Sequence, residues 1–190
     1  MNDALRERLR AGGPLLWVVP DVLSPSECTE LMARIDAAGP TAAPVTTSRG
    51  MVMMPELRNN ERVMFDDLAL AKLLYRRVES SLPTKVLRRV PVGANERLRC
   101  YRYQPGQYFA PHFDGCFRRS DEEESELTLM VYLNDDFGGG ETTFNDLEHS
   151  VRPVRGSALL FFHTQRHEGC AVTSGVKYVV RSDVMYRARF

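Results

Sequence analysis

Of the four histidines in this 190-residue chain, two stand where a metal ion could use them. His112 and Asp114 are separated by one residue in Tyr108-Phe109-Ala110-Pro111-His112-Phe113-Asp114. In extended backbone, residues i and i+2 point to the same side, so an imidazole and a carboxylate converge. A third ligand must come from a distant strand, and His167, in Gln165-Arg166-His167-Glu168-Gly169, is the best candidate. Two nitrogens and one oxygen on one face of an octahedron suit Fe(II) and leave three positions for other ligands. Ten residues beyond His167 lies Lys177, in the apolar run Val176-Lys177-Tyr178-Val179-Val180-Arg181. It shares a strand face with Val179 and Arg181. Either this strand lies at an edge with both cations in water, or the lysine points inward and must meet an anion. A dicarboxylate that also chelates the metal would be such an anion.

The remaining candidates are weaker. His149 sits at a polar turn, and His163 lies four residues before His167, where it suits support of the site better than ligation. Cys116 would favour zinc or copper over iron and reads as a loop residue. Asp136-Phe137-Gly138 lacks the glycine-rich loop and H-R-D partners that would give it meaning. Gly138-Gly139-Gly140 is followed by no Gly-Lys-Ser/Thr, so it is not a phosphate loop.

The elements that must position these side chains change character along the chain. Leu15 to Val19 predicts a strand, and Ser24-Pro25-Ser26-Glu27 opens a helix with a capping box and Pro at its first position. Leu31, Met32, Ile35 and Ala38 continue it at helical spacing until Gly39-Pro40. Residues 40–60 predict irregular chain with strand pieces. A second helix follows Asp66-Asp67 and ends before Pro83. From about residue 96 short apolar runs alternate with turn signals such as Pro105-Gly106, Asn134-Asp135 and Ser174-Gly175, the pattern of an antiparallel sandwich or barrel. The acidic run Asp121 to Glu124, with Glu126, reads as a solvated loop, and Arg118 and Arg119 beside it as a charged rim. Residues 45–60 and 115–126 are expected to cover the pocket.

Residues from about 97 to 187 resemble the prolyl 4-hydroxylase-like branch of the Fe(II)/2-oxoglutarate-dependent oxygenases. The similarity rests on six blocks in order: Tyr103-Gln104-Pro105-Gly106-Gln107-Tyr108, His112-Phe113-Asp114, Leu127 to Asn134, Gly139-Gly140-Glu141-Thr142-Thr143-Phe144, Pro153 to Phe161, and His167 to Tyr186. The resemblance implies a mainly β fold with supporting helices, a double-stranded β-helix (jelly-roll) with the N-terminal helices packed on one sheet. It implies one domain over 1–190, with 1–95 as helical and irregular support and 96–190 as the jelly-roll core. His112, Asp114 and His167 would hold Fe(II). Lys177 would pair with the distal carboxylate of 2-oxoglutarate, Tyr132 would hydrogen-bond it, and Tyr103 would line the pocket. Arg181 is the rival anchor. The implied reaction hydroxylates a C–H bond, with 2-oxoglutarate and O2 becoming succinate and CO2, and admits ascorbate as an accessory. A prolyl residue of a peptide or protein is the expected target. A free amino acid or other small metabolite is the alternative, as is a cupin-like metal protein that uses no 2-oxoglutarate.

Composition narrows the setting. Lys plus Arg and Asp plus Glu are both 25, so the basic excess of a nucleic-acid coat is missing. No apolar run reaches the ~18 residues of a membrane span. Met1 to Arg8 is charged without a secretory apolar stretch, and Cys28, Cys100, Cys116 and Cys170 show no paired spacing; a cytoplasmic setting is expected. Sequence says nothing of oligomeric state.

Overall fold

A computed structural model describes residues 13–47 and 50–189, so the charged N-terminal stretch lies outside the described residues. In chain order the strands are β1 (Leu16–Val19), β2 (Thr41–Ala42), β3 (Val45–Thr47), β4 (Gly50–Val52), β5 (Glu61–Asp66), β6 (Arg89–Ala94), β7 (Arg97–Tyr103) and β8 (Phe109–His112). They continue with β9 (Glu123–Tyr132), β10 (Gly138–Gly139), β11 (Thr142–Phe144), β12 (His149–Val151), β13 (Ala158–Phe162), β14 (His167–Gly169), β15 (Val172–Ser174) and β16 (Lys177–Ala188). Among the described residues the two α-helices are α1 (Pro25–Ala37) and α2 (Leu68–Val78).

Both helices start as the sequence predicts. Ser24 caps α1 by accepting from the Glu27 amide, and the Glu27 carboxylate accepts from the Ser24 amide in return. Asp67 caps α2 by accepting from the Leu70 amide. Such a cap contributes about 1 kcal/mol, enough to set where a short helix begins.

The main sheet has eight strands in the order β1-β13-β9-β16-β7-β5-β2, with β6 also pairing with β16. A four-stranded sheet, β12-β11-β14-β8, lies against it, and two-stranded pairs β10-β15 and β3-β4 complete the set. Period-2 alternation divides the apolar residues between two cores. Leu129, Val131, Leu160, Phe162 and Val180 face α1 and α2, meeting Leu31, Ile35 and Leu74. Tyr103, Tyr132, Leu159, Phe161 and Val179 point the other way, toward Phe144 and Val151 of the small sheet. This is the jelly-roll with helices backing one sheet. The space between the sheets is where polar side chains can be held dry.

Two expectations change. The boundary at residue 95 is not structural, because β1, β2, β5 and β6 from the first half are all strands of the main sheet. β5 carries no strand pattern because in Glu61-Arg62-Val63-Met64-Phe65-Asp66 charged residues flank an apolar run of only three. β6 carries none because Pro91 interrupts it, a residue that strands tolerate only at edges or bulges. Only Asp121 and Glu122 of the acidic run form an exposed loop: β9 begins at Glu123, which is only 4% exposed and pairs with Arg119 and Arg187. Glu124 pairs with Arg89 and Arg118. Arg118 and Arg119 therefore bind the start of β9 rather than the rim of the pocket.

Candidate active site

Two paired strands and the segment after one of them bring the ligand candidates together. His112 closes β8, Asp114 follows two residues later, and His167 opens β14, where it stands directly opposite His112 in antiparallel register. Their ligand atoms lie within 4.8 Å of one another. His112 Nε2 is 3.7 Å from Asp114 Oδ1, and His167 Nε2 is 3.7 Å from Asp114 Oδ2. The other ring nitrogen of each histidine meets a backbone carbonyl: His112 Nδ1 lies 2.8 Å from Ala110 O and His167 Nδ1 3.1 Å from Gln165 O. Only a protonated Nδ1 can donate there, which leaves a lone pair on each Nε2 facing the carboxylate. Phe109 stacks on His112 at 3.5 Å and Phe161 packs its ring against His167 at 4.5 Å, so neither imidazole is free to turn.

Electrostatics keep the trio ready for a cation. Burial, and after it the neighbouring His167, push His112 down to about 3; burial likewise lowers His167. Both are neutral at physiological pH, as ligands must be. Burial alone would raise Asp114, but the Arg181 guanidinium holds it well below the usual carboxylate range. Two neutral nitrogens and an ionised carboxylate, all turned to one point, fit Fe(II).

Asp114 is itself held from two sides. Arg181 Nη1 sits 2.7 Å from Oδ1, while its Nη2 reaches Asp183 at 3.1 Å. Asp183 is fully buried and also pairs with Arg99 at 2.9 Å. On the other side, Thr128 donates to Asp114 Oδ2 at 2.6 Å. Its single proton is thereby used, so at 3.1 Å it accepts from His163 Nδ1–H. His163 Nε2 must then accept from the Ser125 hydroxyl at 2.8 Å, whose oxygen accepts from the Phe117 amide at 2.8 Å. Every proton in this buried line has one place to go, and the line ends on the carboxylate. Thr128→Val should weaken Mn(II) or Co(II) binding by roughly 10- to 100-fold, the usual effect of losing an outer-shell partner of a metal ligand. Calorimetric titration of the apoprotein would read this; unchanged affinity would deny the line any part in metal binding.

The anchor candidates separate on geometry. Arg181 is paired with two carboxylates. Lys177 is 2% exposed, and among the described residues no carboxylate lies within ion-pair distance of its ammonium. Its Nζ donates to Gly140 O at 2.6 Å and lies 5.1 Å from the Tyr103 ring centroid and 5.6 Å from that of Tyr132. Burial pushes it down to about 8. The Tyr132 hydroxyl is engaged with Thr142 Oγ1 at 2.7 Å. Gly140 has φ +70°, and a Cβ there would come within 2.9 Å of the Phe137 ring and 3.2 Å of Lys177 Cδ. The glycine run that made no sense as a phosphate loop is thus the seat of the lysine.

Two chambers meet at the triad. The inner one is lined by Lys177, Tyr103, Thr142 and Val179. The outer one, about 410 Å³, is lined by Val45, Thr46 and Arg58 from one predicted covering segment and by Gly115 to Phe117 from the other. Both reach His112, Asp114 and Arg181. Sequence inspection missed Arg58, Arg62, Thr128 and Gly140. Of these only Gly140, in a run of three glycines, carried a visible signal.

A jelly-roll with a facial His-Asp-His set and a dry lysine ten residues beyond the last histidine defines an Fe(II)- and 2-oxoglutarate-dependent oxygenase. Residues 98–182 match the family described as the 2OG-Fe(II) oxygenase superfamily. The chain is 28% identical over 213 residues to prolyl 4-hydroxylase 1 of Arabidopsis thaliana, covering 93% of this chain and 74% of that one. Among solved structures, the viral collagen prolyl hydroxylase of Paramecium Bursaria Chlorella virus-1 in its 2OG complex superposes with a TM-score of 0.66 at 22% identity, covering 93% of this chain and 98% of the other. A Trichoplax adhaerens prolyl hydroxylase, solved with a hypoxia inducible factor oxygen degradation domain peptide fragment, gives 0.67 at 15% identity, covering 96% and 87%. The family implies Fe(II), 2-oxoglutarate and O2.

Proposed function

We propose that this enzyme hydroxylates a prolyl residue of a peptide or protein, with 2-oxoglutarate and O2 converted to succinate and CO2. The observation that carries it is the junction of two chambers at one triad, the inner chamber ending on a buried ammonium that has no carboxylate of its own. A dicarboxylate entering there satisfies Lys177 at its far end. The prolyl target is supported by the names of the relatives, and its peptide form by the size of the outer chamber. A cytoplasmic setting belongs to the same proposal, supported by four free thiols.

His112, Asp114 and His167 would hold the iron, which, when bound with its two co-substrates, supplies the oxidising power for the C–H bond. The chain's own part is placement. Lys177 orients the co-substrate by its distal carboxylate, while Phe109 and Phe161 lock the imidazoles. Arg181 and Thr128 hold the Asp114 carboxylate from opposite sides. The sheets exclude water from the junction. A cupin-like protein without 2-oxoglutarate would have no use for a buried cation beside the metal.

Anaerobic titration of the Fe(II)-loaded protein with 2-oxoglutarate should develop the visible charge-transfer band of the chelate. Folded, iron-loaded protein that shows no band would overturn the proposal.

A further inference from the structure

The outer chamber carries a charge that the reaction itself does not call for. Arg58, Arg62, Arg99 and Arg181 line it, and Asp114 is the one carboxylate among its described lining residues. Arg181 and Arg99 are accounted for by Asp114 and Asp183. Arg58 and Arg62 face no acid within ion-pair distance among the described residues. Arg58 is 5% exposed, held between the Tyr101 and Phe109 rings with its guanidinium carbon 4.7 and 4.3 Å from their centroids. Its Nε donates to Asn60 Oδ1 at 2.7 Å, yet its buried Nη2 has no acceptor among the described residues. The surplus acts on its neighbours. Burial should raise the Tyr101 phenol, but Arg58, Arg181 and Arg99 bring it below its ordinary value. Arg62 is lowered by burial and further by Arg58, Arg99 and Arg181.

A buried guanidinium N–H without an acceptor costs free energy that a ligand supplying the acceptor would recover. Phe113, 60% exposed between the two ligand residues, adds an apolar face to the same chamber. Resting on the proposed peptidyl hydroxylation, we propose that the outer chamber recognises a carboxylate of the substrate peptide close to the hydroxylated residue, through Arg58 and Arg62. Bidentate acceptance from a guanidinium suits a carboxylate, and the apolar rim suits the ring beside it.

The test uses the intact Fe(II)- and 2-oxoglutarate-loaded protein under anaerobic conditions, with proline pentapeptides as probes. Three sets, blocked at both ends, carry Asp, Asn or Lys beside the proline; a fourth has the Asn sequence and a blocked N-terminus but a free C-terminal carboxylate. Calorimetry should show the Asp peptide binding about tenfold or more tightly than its Asn partner, the scale of one charge-assisted hydrogen bond. The margin should shrink in raised salt. If the fourth peptide shares the preference and the Asp peptide does not, the carboxylate recognised is the chain terminus. Arg58→Gln and Arg62→Gln, each first checked for a native-like melting transition, should erase the margin. Arg62 is the less buried, so its variant stands if Arg58→Gln does not fold. Equal binding of all four peptides, tightest binding of the Lys peptide, or a loss that falls on 2-oxoglutarate instead would overturn the proposal. Failure of the oxygenase assignment is read separately, as absence of the chelate band before any peptide is added.

Discussion

Asp114→Ala should abolish the 2-oxoglutarate chelate band and reduce divalent-metal binding by orders of magnitude, and it should also destabilise the metal-free protein. The first effect follows from removing the single anionic member of a three-ligand set. The second follows from Arg181, whose guanidinium loses one of two carboxylates in a site where its pKa is held above the ordinary range against burial. Breaking a buried pair costs about 3–5 kcal/mol, and the remaining contact with Asp183 brings the expectation to roughly 2–4 kcal/mol. Urea unfolding of apoprotein measures it. His112→Ala should lose the band equally, because it too supplies a ligand, while leaving the Arg181 pair intact. An Asp114→Ala protein that still formed the band would show that the triad is not the metal site.

Lys177→Met should act in opposite directions on co-substrate and on stability. With the ammonium gone, 2-oxoglutarate affinity should fall by about 100-fold or more, the range for truncating one partner of a buried charge pair. Without co-substrate, the same ammonium is a buried charge with only Gly140 O as acceptor, so its removal should stabilise the apoprotein by about 1–3 kcal/mol. The pH dependence has a definite sign. In the folded protein Lys177 is lowered to about 8 from 10.5, so between those values the unfolded chain holds more protons. Apoprotein stability should therefore rise with pH across that window, and the variant should lose this contribution. Affinity for 2-oxoglutarate should move the other way and fall as pH climbs above 8, with the bound dicarboxylate favouring the charged lysine and shifting the midpoint upward. Chelate titrations at several pH values, paired with thermal unfolding of both proteins, would test it; a variant less stable than its parent would contradict the account.

Much of this was legible from residue order, for reasons that differ by element. The His-x-Asp pair and the run around Lys177 reveal themselves because strands place alternate residues on one face, so spacing alone tells which side chains converge. The helices were legible because Ser24, Glu27 and Asp67 are capping groups whose function is local. What stayed hidden depends on contacts far apart in the chain. The Asp114–Arg181–Asp183–Arg99 line joins β7, β16 and the segment after β8, and turns a proposed co-substrate anchor into the support of a metal ligand. Glu123 reads as a solvated acid until Arg119 and Arg187, 4 and 64 residues away, are seen around it. Arg58 carries no pattern, since its importance comes from an acceptor that is missing. β5 escaped because charged residues stand at both its ends, and β6 because a proline interrupts it.

His112 and His167 face each other across two strands while standing 55 positions apart in sequence. An ion gripping both would close the intervening loop much as a covalent cross-link does, removing chain entropy from the open form. The same clasp spans β8 and β14, half of the smaller sheet, whose strands are only three or four residues long. Iron supply would then govern more than turnover: it would set how tightly the roll is shut, and with it how long the molecule lasts against proteases.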